Sequence, residues 1–317
     1  IYYGGKKISS LYYGGKKIAS AWYGGKCVYR ALTFLSSPVQ LWQWTAPSSV
    51  SSVAVDSQFN VYAGDSSKRV TKLNSSGNQV WQWTAPSYVF SVAVDSQFNV
   101  YAGDQSNHVT KLDSSGKQVW QWTAPSPVYS VAVDSQFNVY AGDEDNGFVT
   151  KLDNNGKQVW QWRAWNTVNS VAVDSQLNVY AGDGSSYTTS YHVAKLNSSG
   201  NQVWQWTAPS PVYSVAVDSQ FNVYAGDGSH HVTKLDSSGK QLSQWTAPSS
   251  VSSVAVDSQF NVYVGDDGNH VTKLDSSGKQ VWQWTAPSDV HSVTVDSQFN
   301  VYAGDNEGYV TKLQTAK

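Results

Sequence analysis

The chain has 317 residues, of which 40% are apolar, 14% aromatic and only 14% charged. Fifteen Trp and nineteen Tyr exclude a disordered chain, which would be poor in rings, and a formal charge of −2 removes the electrostatic footprint of a nucleic-acid binder. The single cysteine, Cys27, excludes an internal disulfide framework. No apolar run approaches the roughly 18 residues that span a bilayer, and the first thirty residues lack the apolar core of a secretory signal. The expectation is a chain that folds in the cytosol, neither inserted in a membrane nor exported by general secretion.

Residues 1–30 repeat with period ten: Ile1-Tyr2-Tyr3-Gly4-Gly5-Lys6-Lys7-Ile8, then Leu11 to Ile18, then Ala21 to Val28. Gly-Gly between paired Tyr and paired Lys is the signal of a type I′ hairpin. Folding the second copy about Gly14-Gly15 pairs Tyr13 with Lys16, Tyr12 with Lys17 and Leu11 with Ile18. Such miniature hairpins are marginal alone, so they need a partner surface: copies of themselves, the rest of the chain, or a larger assembly.

From about residue 38 a longer unit takes over, W-Q-W-T-A-P-S-x-V-x-S-V-A-V-D-S-Q-F-N-V-Y-A-G-D followed by V-T-K-L-D-S-S-G-K-Q. Its marker aspartates are Asp56, Asp95, Asp134, Asp174, Asp218, Asp257 and Asp296, spaced 39, 39, 40, 44, 39 and 39 apart. The first copy predicts four strands: A over Val50 to Val55, B over Asn60 to Ala63, C over Val70 to Leu73 and D over Gln79 to Thr84. A tight turn, Asn74-Ser75-Ser76-Gly77, joins C to D. Four strands per unit of about 40 residues is the arithmetic of a propeller blade. The seventh copy stops after strand C, while an orphan strand D, Val39 to Thr45, precedes the first copy. Placing the orphan on the last blade removes the open sheet edge. The expected fold is all-β: a hairpin segment over 1–35, then a seven-bladed β-propeller over 36–317 closed by its own two ends.

The residues carry resemblances. Val53-Ala54-Val55-Asp56 followed by Asn60-Val61-Tyr62-Ala63-Gly64-Asp65 resembles an NHL repeat, departing from it at Gln58-Phe59. Leu112-Asp113-Ser114-Ser115-Gly116-Lys117-Gln118-Val119-Trp120 is similar to the closing half of a quinoprotein (PQQ-like) repeat. The Tyr-Tyr-Gly-Gly-Lys-Lys hairpins resemble short segments of tailed-phage tail and fibre proteins. The first two imply a propeller and nothing of its function, since propellers host binding, scaffolding and catalysis alike. No residues match a quinone pocket, so no cofactor is expected. The third implies a virion protein, made in the host cytoplasm, whose residues 1–35 contact other virion proteins or form a homotrimer.

Seven near-identical copies permit an internal comparison. The A–B and C–D turns scarcely vary, whereas the D–A corners and B–C loops, which share the opposite face, differ in length and chemistry. The free corner positions are Ser49/Ser51, Tyr88/Phe90, Pro127/Tyr129, Thr167/Asn169, Pro211/Tyr213, Ser250/Ser252 and Asp289/His291. In the fourth copy Arg163-Ala164-Trp165-Asn166 replaces Thr-Ala-Pro-Ser, and its long loop carries Tyr187 and Tyr191. Aromatic and amide groups with few charges suit carbohydrate, and diversified loops on a rigid scaffold suit recognition. Unburdened loops also drift, which is the competing reading. The candidate ligand-binding set is Tyr88, Phe90, Tyr129, Arg163, Trp165, Asn166, Asn169, Tyr187, Tyr191, Tyr213, Asp289 and His291.

Other constellations reduce to scaffold. The Trp pairs, such as Trp81/Trp83, are expected to fill the space between blades, because repetition in nearly every copy marks core. Ser243 breaks one pair without an account. Asp143-Glu144-Asp145-Asn146-Gly147 hints at a calcium loop, but Asn154 stands where the twelfth-position Glu is required. Recurring histidines (His108, His231, His270) belong to different blades, too far apart to share a metal. No nucleophile elbow, H-E-x-x-H or P-loop occurs, and most carboxylates recur in every copy, so no enzyme and no metal are expected. The expected function is a virion tail or fibre protein binding a host-surface polysaccharide or receptor. The alternatives are a purely structural or decoration protein or an interaction scaffold, and then a lyase or glycan hydrolase.

Overall fold

The computed structural model describes residues 33–185 and 189–316, together with the backbone of six short strands between Tyr2 and Arg30. Seven four-stranded antiparallel sheets form a ring of blades. In the first blade the strands run Val50–Val55, Val61–Asp65, Arg69–Leu73 and Gln79–Thr84, from the axis outward. Strands A and D match the sequence pattern, whereas B starts one residue later and ends two residues later than expected. The cause is Asp56. One carboxylate oxygen accepts the backbone N–H groups of Gln58 (2.8 Å) and Asn60 (2.9 Å), and the other accepts the Asn60 amide (2.8 Å) and the Tyr62 hydroxyl (2.9 Å). Asn60 is thereby held in the turn, and Phe59 is left-handed at φ 66°. That conformation costs a non-glycine residue about 1 kcal/mol or more, which the Asp56 network offsets. Burial and the adjacent Asp56 push the Tyr62 phenol up, so it stays a donor. The same network recurs in every blade.

The apolar cores lie between blades, not within them. Ala54, Tyr62 and Val70 of the first blade pack against Val89, Val92, Val100 and Leu112 of the second, and six like clusters complete the ring. Blades approach so closely that a Cβ on Gly64 would stand 2.6 Å from Val89. Two further devices join them. On the inner edge, the Ser52 hydroxyl accepts the Val92 N–H at 3.0 Å, and the pattern repeats from blade to blade until Ser292 accepts the Val53 N–H at 3.0 Å. On the outer rim, Trp42 lies on the next blade's C–D turn and donates its indole N–H to the Ser75 carbonyl at 3.1 Å. A Cβ on Gly77 (φ 83°) would meet that ring at 2.8 Å, so glycine serves both the turn and the contact. Trp81, Trp120, Trp160 and Trp204 repeat the clasp. The paired tryptophans thus sit at the blade seams, as expected, but half-buried on the rim rather than as core, with Trp282 alone among them buried.

Closure also follows the sequence. The strand Phe34–Thr45 pairs with Tyr309–Ala316 as the outer strand of the last blade, from Tyr309↔Thr45 to Ala316↔Phe34, with register shifts between Lys312 and Leu313 and between Gln314 and Ala316. It begins before the Val39 that the repeat pattern marks. Because this joint replaces a C–D turn, the buried Trp282 indole finds no carbonyl partner. The Lys273 ammonium, also without a hydrogen-bond partner, lies 3.5 Å from the Phe34 ring centroid and 5.4 Å from that of Tyr263. Burial brings its pKa down to about 8. In the N-terminal segment the backbone pairs Leu11 with Ile18, Tyr12 with Lys17 and Tyr13 with Lys16, and the third hairpin shifts register between Ala21 and Trp22.

Ser292→Ala should destabilise the propeller by about 1–3 kcal/mol in denaturant titration, because the Val53 N–H loses its acceptor at the joint between last and first blades. Lys273→Met should stabilise it at neutral pH by at most about 3 kcal/mol, less what the ammonium gains over the Phe34 and Tyr263 rings, since a buried charge is removed with its stem retained. The unfolded chain holds more protons than the folded one between about pH 8 and the usual lysine value of 10.5. The wild type therefore gains on the variant as pH rises through that window, and parallel melts at pH 7 and pH 10 measure the difference.

Candidate functional site

The variable face is built by one irregularity repeated seven times. In strand A the register jumps from Val50↔Asp65 to Ser52↔Gly64, leaving Ser51 unopposed. The equivalent bulged residues are Phe90, Tyr129, Asn169, Tyr213, Ser252 and His291. A bulge re-aims a side chain without breaking the sheet. It does so at the position where the copies diverge, on the innermost strand, around the ring axis.

The B–C loops that rim this face are set by a second buried carboxylate. Asp65 accepts the backbone N–H groups of Ser67 (2.8 Å) and Arg69 (3.1 Å), and its Ser66 neighbour donates N–H to the Ser49 carbonyl at 3.0 Å. Burial pushes the Asp65 carboxyl up, against the pull of those donors. Four histidines rest on this carboxylate in their own blades: His108 on Asp104 (3.3 Å), His192 on Asp183 (3.2 Å), His231 on Asp227 (3.4 Å) and His270 on Asp266 (3.1 Å). Their recurrence is thus a loop-support pattern. Among the described residues no cluster of three metal-ligating side chains occurs.

A cavity of about 400 Å³ opens on the same face, lined by Ser49, Ser51, Ser66, Tyr213, Ser252 and His291 from the first, fifth, sixth and seventh blades. Its polar groups are five hydroxyls and an imidazole. Ser252 donates to the Asp267 carboxylate, and His291 Nε2 stands 3.3 Å from the Asn306 amide oxygen. Burial, then the nearby Asp267, push the Tyr213 phenol up, so it enters the cavity as a protonated donor. No lysine or arginine lines the space.

The residues expected from sequence divide accordingly. Tyr213 and His291 line the cavity. Phe90 and Tyr129 instead pack edge to face, 4.8 Å between centroids, and burial with a Glu144 bond pushes the Tyr129 phenol up. Tyr88 is 44% exposed, and Asp289 holds the Asn306 N–H with its carbonyl. The fourth-copy group lies away from the cavity lining. Trp165 is 76% exposed with its ring 6.5 Å from His192, and the Arg163 guanidinium lies 5.8 Å from the Phe148 ring. The Asn166 amide bonds the Ser190 carbonyl, and the Asn169 amide bridges the Gly184 (2.8 Å) and Val212 (3.0 Å) carbonyls. Tyr191 is half-buried against the core between the fourth and fifth blades, and Tyr187 lies outside the described residues. Sequence reasoning passed over the cavity's serines because it favoured large side chains. The legible signal was the reverse: two copies, with Ser49/Ser51 and Ser250/Ser252, have small residues at both corner positions, and small residues leave space.

A family model described as "Outer membrane protein assembly factor BamB" matches residues 66–227 and 228–317. No curated protein matches the chain. Among solved structures the WD40 β-propeller domain of Doa1 superposes with a TM-score of 0.77 over 87% of this chain and 96% of that one. At 14% identity this is a likeness of fold alone.

Asn169→Ala should destabilise the fold by about 1–3 kcal/mol in urea, because it strips two buried carbonyls of their donor. Trp165→Ala should stay within about 0.5 kcal/mol of wild type, as expected for an exposed side chain.

Proposed function

The chain belongs to the family described as outer membrane protein assembly factor BamB, and on that scaffold we propose a non-catalytic recognition protein of a virion tail or fibre, binding a host-surface glycan. The observation that carries the recognition role is the axial cavity, where four of the seven divergent bulged positions meet and hydroxyl groups converge without a net charge. Sugars offer alternating hydroxyls and apolar ring faces. Ser49, Ser51, Ser66 and Ser252 supply exchangeable donors and acceptors, and Tyr213 supplies both a phenol and a flat apolar surface. The virion placement rests on the Tyr-Tyr-Gly-Gly-Lys-Lys hairpins over 1–35, which resemble tail and fibre segments and would dock or trimerise the chain. Multiple heads on one fibre raise avidity without new contacts, which suits weak single-site binding.

A second reading is a protein-binding scaffold, favoured by the family's description and by the outer strands. These present an open backbone edge beside exposed Val80, Val119, Val159 and Val203, an arrangement that an added strand from a partner can pair with.

Titration calorimetry of the full chain against purified cell-surface polysaccharides is the test. A bound glycan should lose at least tenfold in affinity, about 1.4 kcal/mol, with Tyr213→Ala combined with His291→Ala, while Trp165→Ala changes it less than threefold. Undiminished binding by the cavity variant would reject the site, and an absence of any glycan binding beside capture of an extended peptide would favour the scaffold.

A further inference from the structure

The outer rim carries a feature that the axial face does not explain. Six blades have a tryptophan at the third position of strand D: Trp42, Trp81, Trp120, Trp160, Trp204 and Trp282. The fifth blade has Ser243 instead. In each clasped seam the indole is held from two sides. Its own blade's tyrosine lies about 6 Å away, as in Tyr62–Trp81 at 6.0 Å and Tyr180–Trp204 at 6.1 Å. The next blade's glycine turn supports the ring face, and the residue two before that glycine accepts the indole N–H, as Ser237 does at 2.9 Å.

At the seam between the fifth and sixth blades the receptor is intact and the ring is missing. Tyr224 and Lys234 keep their places, with the ammonium 5.1 Å from the tyrosine centroid, and Lys234 is paired across the strands to Ser243. The Asp275-Ser276-Ser277-Gly278 turn has its sisters' geometry, with Gly278 at φ 85° and its N–H on the Asp275 carbonyl at 2.9 Å. A Cβ built on Gly278 meets nothing within 4 Å, where the five sister glycines each meet indole carbons at about 2.8 Å. The result is a notch lined by Tyr224, Val232, Ser243, Trp245, Leu274 and Gly278. Solvent reaches into the seam there: Val232 is 4% and Val262 3% exposed, whereas their six counterparts are fully buried at 0%.

We propose that this notch is a binding site for an indole ring. The five occupied seams define its ligand: a planar bicyclic aromatic of tryptophan's size, carrying one N–H that reaches the Ser276 carbonyl, with Tyr224 on one side and the bare Gly278 backbone beneath it. The shape is preorganised by the sheet and the turn, so little ordering accompanies binding. The site lies on the rim, at the C–D turn, and stands independently of any ligand at the axial cavity.

The test is calorimetric titration of the full chain with free indole. One saturable site is expected, of about millimolar strength as befits a small ligand in a half-open slot. Ser243→Trp should abolish it and raise the melting temperature by about 2–4 °C or more, because the introduced ring fills the slot and regains the Ser276 hydrogen bond. Trp204→Ser should open an equivalent slot on Gly239, raising the stoichiometry from one to two. Equal binding of N-acetyl-tryptophanamide assigns the slot to a tryptophan side chain on a partner, and binding of indole alone assigns it to a free heteroaromatic; both uphold the site. Absence of saturable binding, binding unchanged by Ser243→Trp, a Ser243→Trp chain that melts lower, or a stoichiometry of one in Trp204→Ser would each overturn it.

Discussion

The structure depends on how seven sheets that are open at both edges are turned into one closed body. The inner edge of every blade exposes strand-A amides at the axis, where a neighbouring blade is too sharply inclined to continue the ladder. A serine solves this in each blade: its hydroxyl replaces the missing carbonyl and accepts the next blade's Val N–H, seven times around to Ser292 and Val53. A buried N–H without a partner would cost about 1–3 kcal/mol per blade, so the ring of serines is as necessary to closure as the apolar seams beside it. Because the chain of bonds is cyclic, each blade depends on both neighbours. The joint between strands Phe34–Thr45 and Tyr309–Ala316 is where that dependence meets the chain ends.

The rest of the scaffold follows from Asp and Asn side chains acting as turn templates. Asp56 shapes the A–B turn, Asp65 the B–C loop and Asn74 the C–D turn, each through a side-chain oxygen that accepts the N–H groups two and four residues on. The A–B turn tolerates little change, since a shift of one residue would leave the buried Asp56 carboxylate without donors, and the C–D turn is held by its left-handed glycine under the neighbouring indole. This explains why one face is constant. The B–C loops are anchored only at their ends, by Asp65 and its equivalents, which leaves their middles free to vary in length.

The bulge at the second position of strand A converts that freedom into a surface. Without it, Ser51, Tyr213 and His291 would follow the alternation of the strand into the seams. With it, they gather around the axis while Ser52, Ser214 and Ser292 remain in place to close the ring. Scaffold and candidate site therefore occupy adjacent residues with separate physical duties, and variation at one does not disturb the other.

Much of this was legible in the chain. The spacing of the marker aspartates determined seven blades, the orphan strand before the first copy determined how they close, and the Tyr-Gly-Gly-Lys pattern determined the hairpin register from Tyr13 to Lys16. These are local or counted properties, carried by period and turn chemistry. What sequence alone left undecided was which variable residues share a space. Trp165 and Tyr191 stand out by their chemistry, yet one points away on an exposed corner and the other packs into a seam. The axial cavity is instead made where the equivalent bulges of four blades carry Ser51, Tyr213, Ser252 and His291, two of them small. Likewise Ser243 is a broken repeat on paper and becomes a vacant aromatic slot only when the next blade's Gly278 turn is set against it. Cavities are properties of facing surfaces, and those surfaces come from blades that are neighbours only once the ring has closed.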